Sequence, residues 1–518
     1  MKNSTRNNIL VPPFAIFIVM LGLYTYTLAP TIMWGDPTKL IRYVDQGQPR
    51  YLGGGVHGLH TQIGMVFADV LPDSWSLAYK INFMSAFWAS LTLSIVYLIL
   101  NHLIASPVPA MGATLCIGLS HMYWWVATMT ESYSLLSFTF ALSLGSFLLW
   151  YRYQNIWLLF LVLASLIIGF LNHYLTLLFV PVYAFFVAYF AKNRMRIFLI
   201  YFLLTLIGLG CLAVEMKNGA GFFAGLLETA YICLTRFSDY SKLLKELFIF
   251  PAYLLYQYPI AILIGLAGLK SAKAKILPLL LVLMAMDIIF ASFYGKARQL
   301  HQLIPTFIVY GYFIASGFKS VASKVTERQL VIFVSAVILL QPITYFVVTR
   351  SASGIFNINL VSQSTFKYRD PNIYYLWPSK RGNYKTYDFV KNALSVMDQE
   401  AVILADFNIS EPLKYLRDIE GFRKDVQVKC TDEFAYQSEE KIWRDVNRYI
   451  DEKLAQEQKV YLAAYESFNF FTIEKNTVPF RHRLDQAYDI QAVGNIFLIM
   501  RKKLPQEVSL LDDAGEVL

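Results

Sequence analysis

Residues Ile9–Leu40 read ILVPPFAIFIVMLGLYTYTLAPTIMWGDPTKL. Through Ala29 the stretch is apolar and uncharged, and it reaches the about 20 residues that a bilayer-crossing helix needs. It is too long for a cleaved signal peptide, and "LAPTIMW" is a poor small-residue cleavage site. Asp36 follows almost at the membrane surface, beside Trp34 and ahead of Pro37. Two readings stay open for it. Asp before Pro is a good helix start. A carboxylate at the mouth of a span also suits a general base for an acceptor hydroxyl, above all if the other substrate is a lipid.

The rest of the chain repeats the apolar signal. Of 518 residues, 56% are hydrophobic and 16% charged, where soluble domains carry roughly 25% charged residues. The chain reads as a polytopic α-helical membrane protein with about eleven spans, near 10–29, 77–101, 107–121, 133–151, 156–171, 174–190, 197–214, 245–266, 275–293, 302–318 and 329–349. With the N-terminus inside, the even-numbered turns hold Arg152, "AKNRMR", "LKSAKAK" and "GFKSVASKVTER", as the positive-inside rule expects. The net charge of +9 is then accounted for by inner loops and contact with anionic membrane lipid, and no basic-aromatic motif calls for nucleic acid. Cys116, Cys211, Cys233 and Cys430 form no CxxC or Cys/His spacing, so neither a disulfide framework nor a zinc site is supported.

This orientation gathers the titratable groups on the outer face. The loop 30–76 carries Asp36, His57 and His60. The later outer turns carry His121, Glu131, His173, Lys296, Arg298 and His301. Polar groups collected on one face of a membrane protein point to a site there. In "RYLGGGVHGLHTQIG" three glycines permit close backbone approach, and His57 and His60 lie one helical turn apart; a flexible loop with two exposed histidines is the plainer account. Two histidines are too few for a metal site. Glu131 and Tyr133 stand where the fourth span begins, and a Glu there also suits the helix dipole. Asn172 and His173 interrupt a long apolar stretch, as a cavity-facing pair or as a tight turn. In "YGKARQLH", Lys296 and Arg298, with His301, suit a phosphate clamp or a basic loop touching headgroups.

Beyond residue 350 charges become dense. Strand-like runs "AVILADF", "DVQVKC", "KVYLAAY" and "VGNIFLIM" alternate with helical patterns "KTYDFVKNALSVMD", "SEPLKYLRDI" and "SEEKIWRDVNRYIDEKLAQ". Residues 351–518 therefore read as a soluble α/β domain, placed outside by the odd span count, after a transmembrane domain over 1–350. That domain has no G-x-G-x-x-G, Walker loop or G-x-S-x-G, and it reads as an accessory or acceptor-binding module. No internal repeat stands out.

Taken in order, these segments resemble the GT-C superfamily of polytopic glycosyltransferases, and more closely the protein O-mannosyltransferase-like family formerly labelled a domain of unknown function. "MWGDPTKL" is similar to the family's W-G-D-S-G-E motif. "VHGLHTQIGMVFADVLPDSWSLAYKINFMSAFWAS" stands for its His-Pro-Pro-Gly-Tyr-Pro core, leucine-proline turn and Asn-leading second span. "MTESYSLLSFTFAL" stands for A-E-V-Y-A-L, and "GFLNHYLTLLF" for G-L-x-x-x-H-H. The resemblance implies that Asp36 is the first-loop acid and His57 the loop histidine, with Glu131, Tyr133 and His173 at the later motifs. Two positions depart from it: the family's second acid is Lys39 here, and Pro-Pro-Gly is "GLH".

The implied reaction moves a sugar from a polyprenyl-phosphate donor to a hydroxyl of a protein or glycan acceptor at the exoplasmic face, with inversion. Lys296 and Arg298 would meet the phosphate and Asp36 the acceptor proton. No cofactor is required, and a divalent metal is unsupported by the residues. Compact loops without a retention signal place the protein in a bacterial plasma membrane; in a eukaryote the corresponding membrane is the endoplasmic reticulum. Two other readings compete. Lys39 favours a non-catalytic subunit that binds the lipid-linked sugar. A lipid or glycan transporter would need charged or broken spans near the midplane, and Asp287 is the lone deep acid.

Overall fold

The computed structural model describes residues 11–47, 57–191, 240–294, 300–352, 371–431, 439–464 and 480–502. The chain divides into two compact units. One takes the chain from Val11 to Met33 and from Pro37 to Tyr384, the other Trp34–Asp36 and the chain from Lys385 onward.

The larger unit is helical. Its elements are α1 (Val11–Tyr26), α2 (Asp36–Gln46), α3 (Gly58–Val70), α4 (Leu77–Ile104), α5 (Pro107–Gly118), α6 (His121–Ala127), α7 (Tyr133–Tyr153), α8 (Ile156–Asn172), a 3-10 turn at Tyr174–Leu178 and α9 (Val180–Phe190). After residue 239 come α10 (Tyr240–Gln257), α11 (Ala261–Leu269), α12 (Leu277–Tyr294), a 3-10 turn at Leu300–Leu303, α13 (Ile304–Ala322), α14 (Glu327–Arg350) and α15 (Pro371–Leu376). Among the described residues, α4, α7 and α14 are each long and apolar enough to cross a membrane; α1, α5, α8, α9 and α12 belong to apolar stretches that are shorter. The expected run 197–214 lies outside the described residues.

Two features differ from the sequence reading. The loop 30–76 holds α2 and α3. The run 245–266, expected as one span, is broken: Leu247–Gln257 and Ala261–Leu269 meet at 114°. Pro259 lies in the break and supplies its cause, because proline removes a backbone donor and disfavours helix in the residue before it. The opened end is satisfied by protein. The Gln257 carbonyl accepts from Gln341 Nε2 at 3.0 Å and from Tyr345 OH at 2.9 Å, and Gln257 Oε1 accepts from Met122 N–H at 2.8 Å. Irregular backbone at membrane depth is tolerated under that condition.

Helix ends follow local chemistry. Thr326 and Gln329 form a reciprocal capping box at the start of α14. Ser76 Oγ accepts from Tyr79 N–H at the start of α4. α11 and α13 cross where Gly268 faces the Phe313 carbonyl and Gly317 faces that of Ile264; a Cβ at either glycine would overlap backbone.

The smaller unit is a five-stranded α/β sheet: β1 (Val402–Ala405), β2 (Gln427–Cys430), β3 (Val460–Leu462), β4 (Tyr488–Val493) and β5 (Ile496–Arg501), in the order β2-β1-β3-β5-β4. β1 runs parallel to β2 and β3, while β5 is antiparallel to β3 and β4. Gly494, at φ +58°, and Asn495 make the two-residue β4–β5 turn. Helices α16 (Lys385–Ser395), α17 (Phe407–Asp418), α18 (Glu439–Ala455) and α19 (Phe480–Ala487) complete it. Leu404, Val446, Ile450, Val460, Leu462, Leu484, Tyr488 and Ile499 form a core between α18, α19 and the sheet. Within this unit the Trp34 ring lies 5.5 Å from that of Phe389, and Gly35 N–H donates to the Asn408 carbonyl at 3.2 Å.

Candidate functional site

The larger unit brings four of the expected residues into ring contact. His57, just ahead of α3, stacks on His173 with centroids 5.0 Å apart and planes at 28°. Tyr133, the first residue of α7, lies 4.9 Å from His173 and 4.4 Å from His301. Three of these positions close a loop or open a helix, so short segments fix them, while α4, α7 and α8 set their separation.

Backbone bonds assign the imidazole tautomers. His57 Nδ1–H donates to the Asn172 carbonyl at 2.7 Å. His173 Nδ1 accepts from Leu175 N–H at 3.1 Å, so the proton of the neutral ring is on Nε2. Burial, then the charges of His57 and His301, holds the His173 pKa well below the usual imidazole range. Burial also lowers His301 to about 3. His60, on α3, is wholly buried, and burial followed by the charge of His57 lowers it to about 3. Neither His60 ring nitrogen has a hydrogen-bond partner among the described residues. His173 and His301 are therefore neutral at pH 7. With Tyr133 they offer aromatic faces and uncharged donors and acceptors, the chemistry of sugar hydroxyls and C–H faces, and no charge for a phosphate.

A line of side-chain bonds seats these groups. Asn82 Nδ2, on α4, donates to the carbonyls of Ala29 at 3.0 Å and Thr31 at 3.1 Å. Its Oδ1 accepts from Thr130 N–H at 2.8 Å and Thr130 Oγ1 at 2.6 Å. One turn along α4, Ser85 Oγ accepts from Glu131 N–H at 3.2 Å, and Glu131 itself is buried. Asn172 Nδ2 donates to the Ser132 carbonyl at 2.9 Å. The segment before Tyr133 is thus tied to α4 on one side and to α8 on the other. Asn82 stands out in the sequence only as the polar start of a span; its partners, 48 to 53 residues away, were not readable there.

Two further buried groups act near these elements. Asp287, in α12, accepts at Oδ2 from Thr306 N–H at 3.0 Å and Thr306 Oγ1 at 2.7 Å. It caps α13, the helix that follows His301, and its depth has a structural account. Lys380 is also buried: Nζ donates to the carbonyls of Tyr374 at 2.8 Å and Trp377 at 2.7 Å and lies over the Trp125 ring. Burial holds its pKa well below the usual lysine range. No spacing in the sequence marks this lysine.

Asp36 is exposed, opens α2 and belongs to the smaller unit. Its place in the first turn suits the helix dipole whether or not it takes a proton. Lys296 and Arg298 lie outside the described residues. Among the described residues no three His, Cys, Asp or Glu side chains are grouped to hold a metal ion.

The crystal structure of ArnT from Cupriavidus metallidurans bound to undecaprenyl phosphate superposes with a TM-score of 0.59, covering 94% of this chain and 97% of that one at 8% identity. The two chains share a fold. The apo form of the same ArnT gives a TM-score of 0.56 at 9% identity over the same shares of the two chains. The apo Archaeoglobus fulgidus oligosaccharyltransferase gives 0.48 at 12% identity, covering 87% of this chain and 69% of that one. Residues 57–197 match the family described as the protein O-mannosyl-transferase TMEM260 N-terminal domain. The matched segment holds His57, His60, Glu131, Tyr133 and His173 and stops short of His301. No curated protein sequence matches the chain.

Proposed function

We propose that this protein is a membrane glycosyltransferase that moves a sugar from a polyprenyl-phosphate donor to a hydroxyl of a protein or glycan. The observation that carries the reading is the ring cluster of His57, Tyr133, His173 and His301, set in a fold shared with a protein solved with undecaprenyl phosphate. The neutral imidazoles and Tyr133 hold the sugar. Lys296 and Arg298 supply charge for the phosphate. The acceptor oxygen attacks the anomeric carbon, the bond from that carbon to the phosphate oxygen breaks, and polyprenyl phosphate leaves with the electron pair. The acceptor proton goes to the Asp36 carboxylate. Attack opposite the leaving group inverts the anomeric centre, and alignment with phosphate stabilisation supplies most of the rate. The reaction runs at the exoplasmic face, periplasmic in a bacterium and lumenal in the endoplasmic reticulum. Residues 351–518 lie on that side and engage the acceptor.

The test is transfer of radiolabelled sugar from total polyprenyl-linked donors by purified protein and its Asp36→Asn variant. Label moving to a hydroxyl acceptor with the unmodified protein alone is expected. Undiminished transfer by Asp36→Asn would remove Asp36 as the base. Lys39, at the position of the family's second acid, favours one other reading, a subunit that binds the donor without turnover. Retained label with no transfer by either protein would establish it.

A further inference from the structure

Three cations and a histidine from four segments converge at the end of the helical unit away from His57, His173 and His301. Arg152, in the last turn of α7, donates from Nη1 to His102 Nε2 at 3.2 Å; His102 lies in the last turn of α4. Lys319, near the end of α13, donates from Nζ to the Ile104 carbonyl at 2.5 Å. Lys273, in the segment between α11 and α12, is held by its backbone N–H bond to Tyr312 OH at 2.9 Å. Arg152, Lys273 and Lys319 are exposed and His102 is half-buried. Partial burial, then the charges of Lys319 and Arg152, lowers the Lys273 pKa from its usual value, so these cations feel one another.

A cation at a helix C-terminus offsets the helix dipole, which explains Arg152 and Lys319 one at a time, while His102, accepting at Nε2 from Arg152, is the neutral imidazole. It does not explain Lys273, or the mutual repulsion of the group. Among the described residues no carboxylate pairs with any of the four. An anion from outside the chain would offset that repulsion. Position narrows its source: from Tyr133 to Arg152 along α7 the rise is about 30 Å, the thickness of a bilayer's hydrocarbon core. The cluster therefore stands at the opposite interface from the histidines, at headgroup depth.

We propose that His102, Arg152, Lys273 and Lys319 form a binding site for the phosphate of an anionic phospholipid headgroup. The guanidinium gives directed bonds to phosphate oxygens and the two ammonium groups give point charges. The site uses none of the groups assigned to sugar transfer and stands independently of that assignment.

The experiment uses the full-length protein in nanodiscs of phosphatidylcholine with a minority of phosphatidylglycerol, with retained lipids counted by native mass spectrometry. The unmodified protein is expected to retain one phosphatidylglycerol in preference to phosphatidylcholine. The Arg152→Gln, Lys273→Gln double variant should lose that preference at least tenfold. Lys319 is kept in that variant because its amine holds the end of α4, and the single Lys273→Gln variant gives a milder second measure. A Lys391→Gln, Lys424→Gln variant, equal in charge change but in the smaller unit, should behave as the unmodified protein. Thermal protection of lipid-free protein by inorganic phosphate, lost in the Arg152/Lys273 variant, would support a phosphate site that needs no acyl chains. Lipid preference without that protection would assign the site to the lipid. Equal phosphatidylglycerol retention by the unmodified protein and the Arg152/Lys273 variant would overturn the proposal.

Discussion

Helices α4 and α7 run between the two ends of the helical unit and meet opposite chemistry at each. At the Asn82 and Tyr133 end the polar groups are mostly buried, and most are tied to named backbone atoms. At the His102 and Arg152 end they are mostly exposed and of one sign. Hydrogen bonds at the first end position side chains, because a buried polar group without its partner is costly. Charges at the second end are solvated and screened, and removing one costs little stability. The contrast separates a site built for geometry from one built for electrostatic attraction.

The largest expected difference between the ends is in transfer itself. His173→Ala should lower sugar transfer about a hundredfold, the size of a lost transition-state hydrogen bond. Arg152→Gln should leave it within about twofold, since screening removes its field over that distance. Initial rates with labelled donor check both, and a comparable loss from the two variants would erase the distinction.

Stability should divide the same way. Asn82→Leu strands the Thr130 N–H and hydroxyl and the carbonyls of Ala29 and Thr31, and an expected loss of about 3 kcal/mol follows from unsatisfied buried groups. Lys319→Met should cost at most about 1 kcal/mol. Thermal unfolding in one detergent compares them. Asp287→Asn keeps an acceptor for Thr306 and Asp287→Leu does not, so the Leu variant should unfold at the lower temperature, with the Asn variant close to the unmodified protein.

Acid should act on the buried end first. His60 and His301 titrate near 3 in the folded chain and near 6.5 when unfolded. Between those values the unfolded state binds more protons, so stability is full above about pH 6.5 and falls as pH drops toward 3. Each histidine contributes about 1.4 kcal/mol of loss per pH unit in that window. Unfolding temperature measured from pH 7.5 down to 5 should bend downward near 6.5, and less so in a His301→Gln variant. The smallest effect expected is salt sensitivity of folding at the basic end, a few tenths of a kcal/mol between low and high ionic strength.

Much of this architecture is legible in the sequence, because apolar length and strand-helix alternation are local. The runs near 77–101, 133–151 and 329–349 became α4, α7 and α14, and four strand-like runs became β1, β2, β3 and β5. β4 escaped because its face alternates weakly and one edge is exposed, so "YDIQAV" carries no strong apolar signal. The broken helix at Pro259 was readable in principle and was overridden by the apolar run around it. The ring cluster is different. His57 and His173 lie far apart in sequence, and only the packing of α3, α4, α7 and α8 decides that they meet. Family resemblance named His57, Tyr133 and His173, and the run "YGKARQLH" named His301; neither gave their tautomers, the Asn82 bonds or the burial of Lys380.

The glycine crossing of α11 and α13 stands toward the basic end of the bundle, with Gly317 two residues before Lys319. Backbone meets backbone at Gly268 and Gly317, so no acyl chain can pass between those helices at that level. The seam works as a wall at the end opposite the histidines. Lateral access at the two ends of the bundle is therefore set by different contacts.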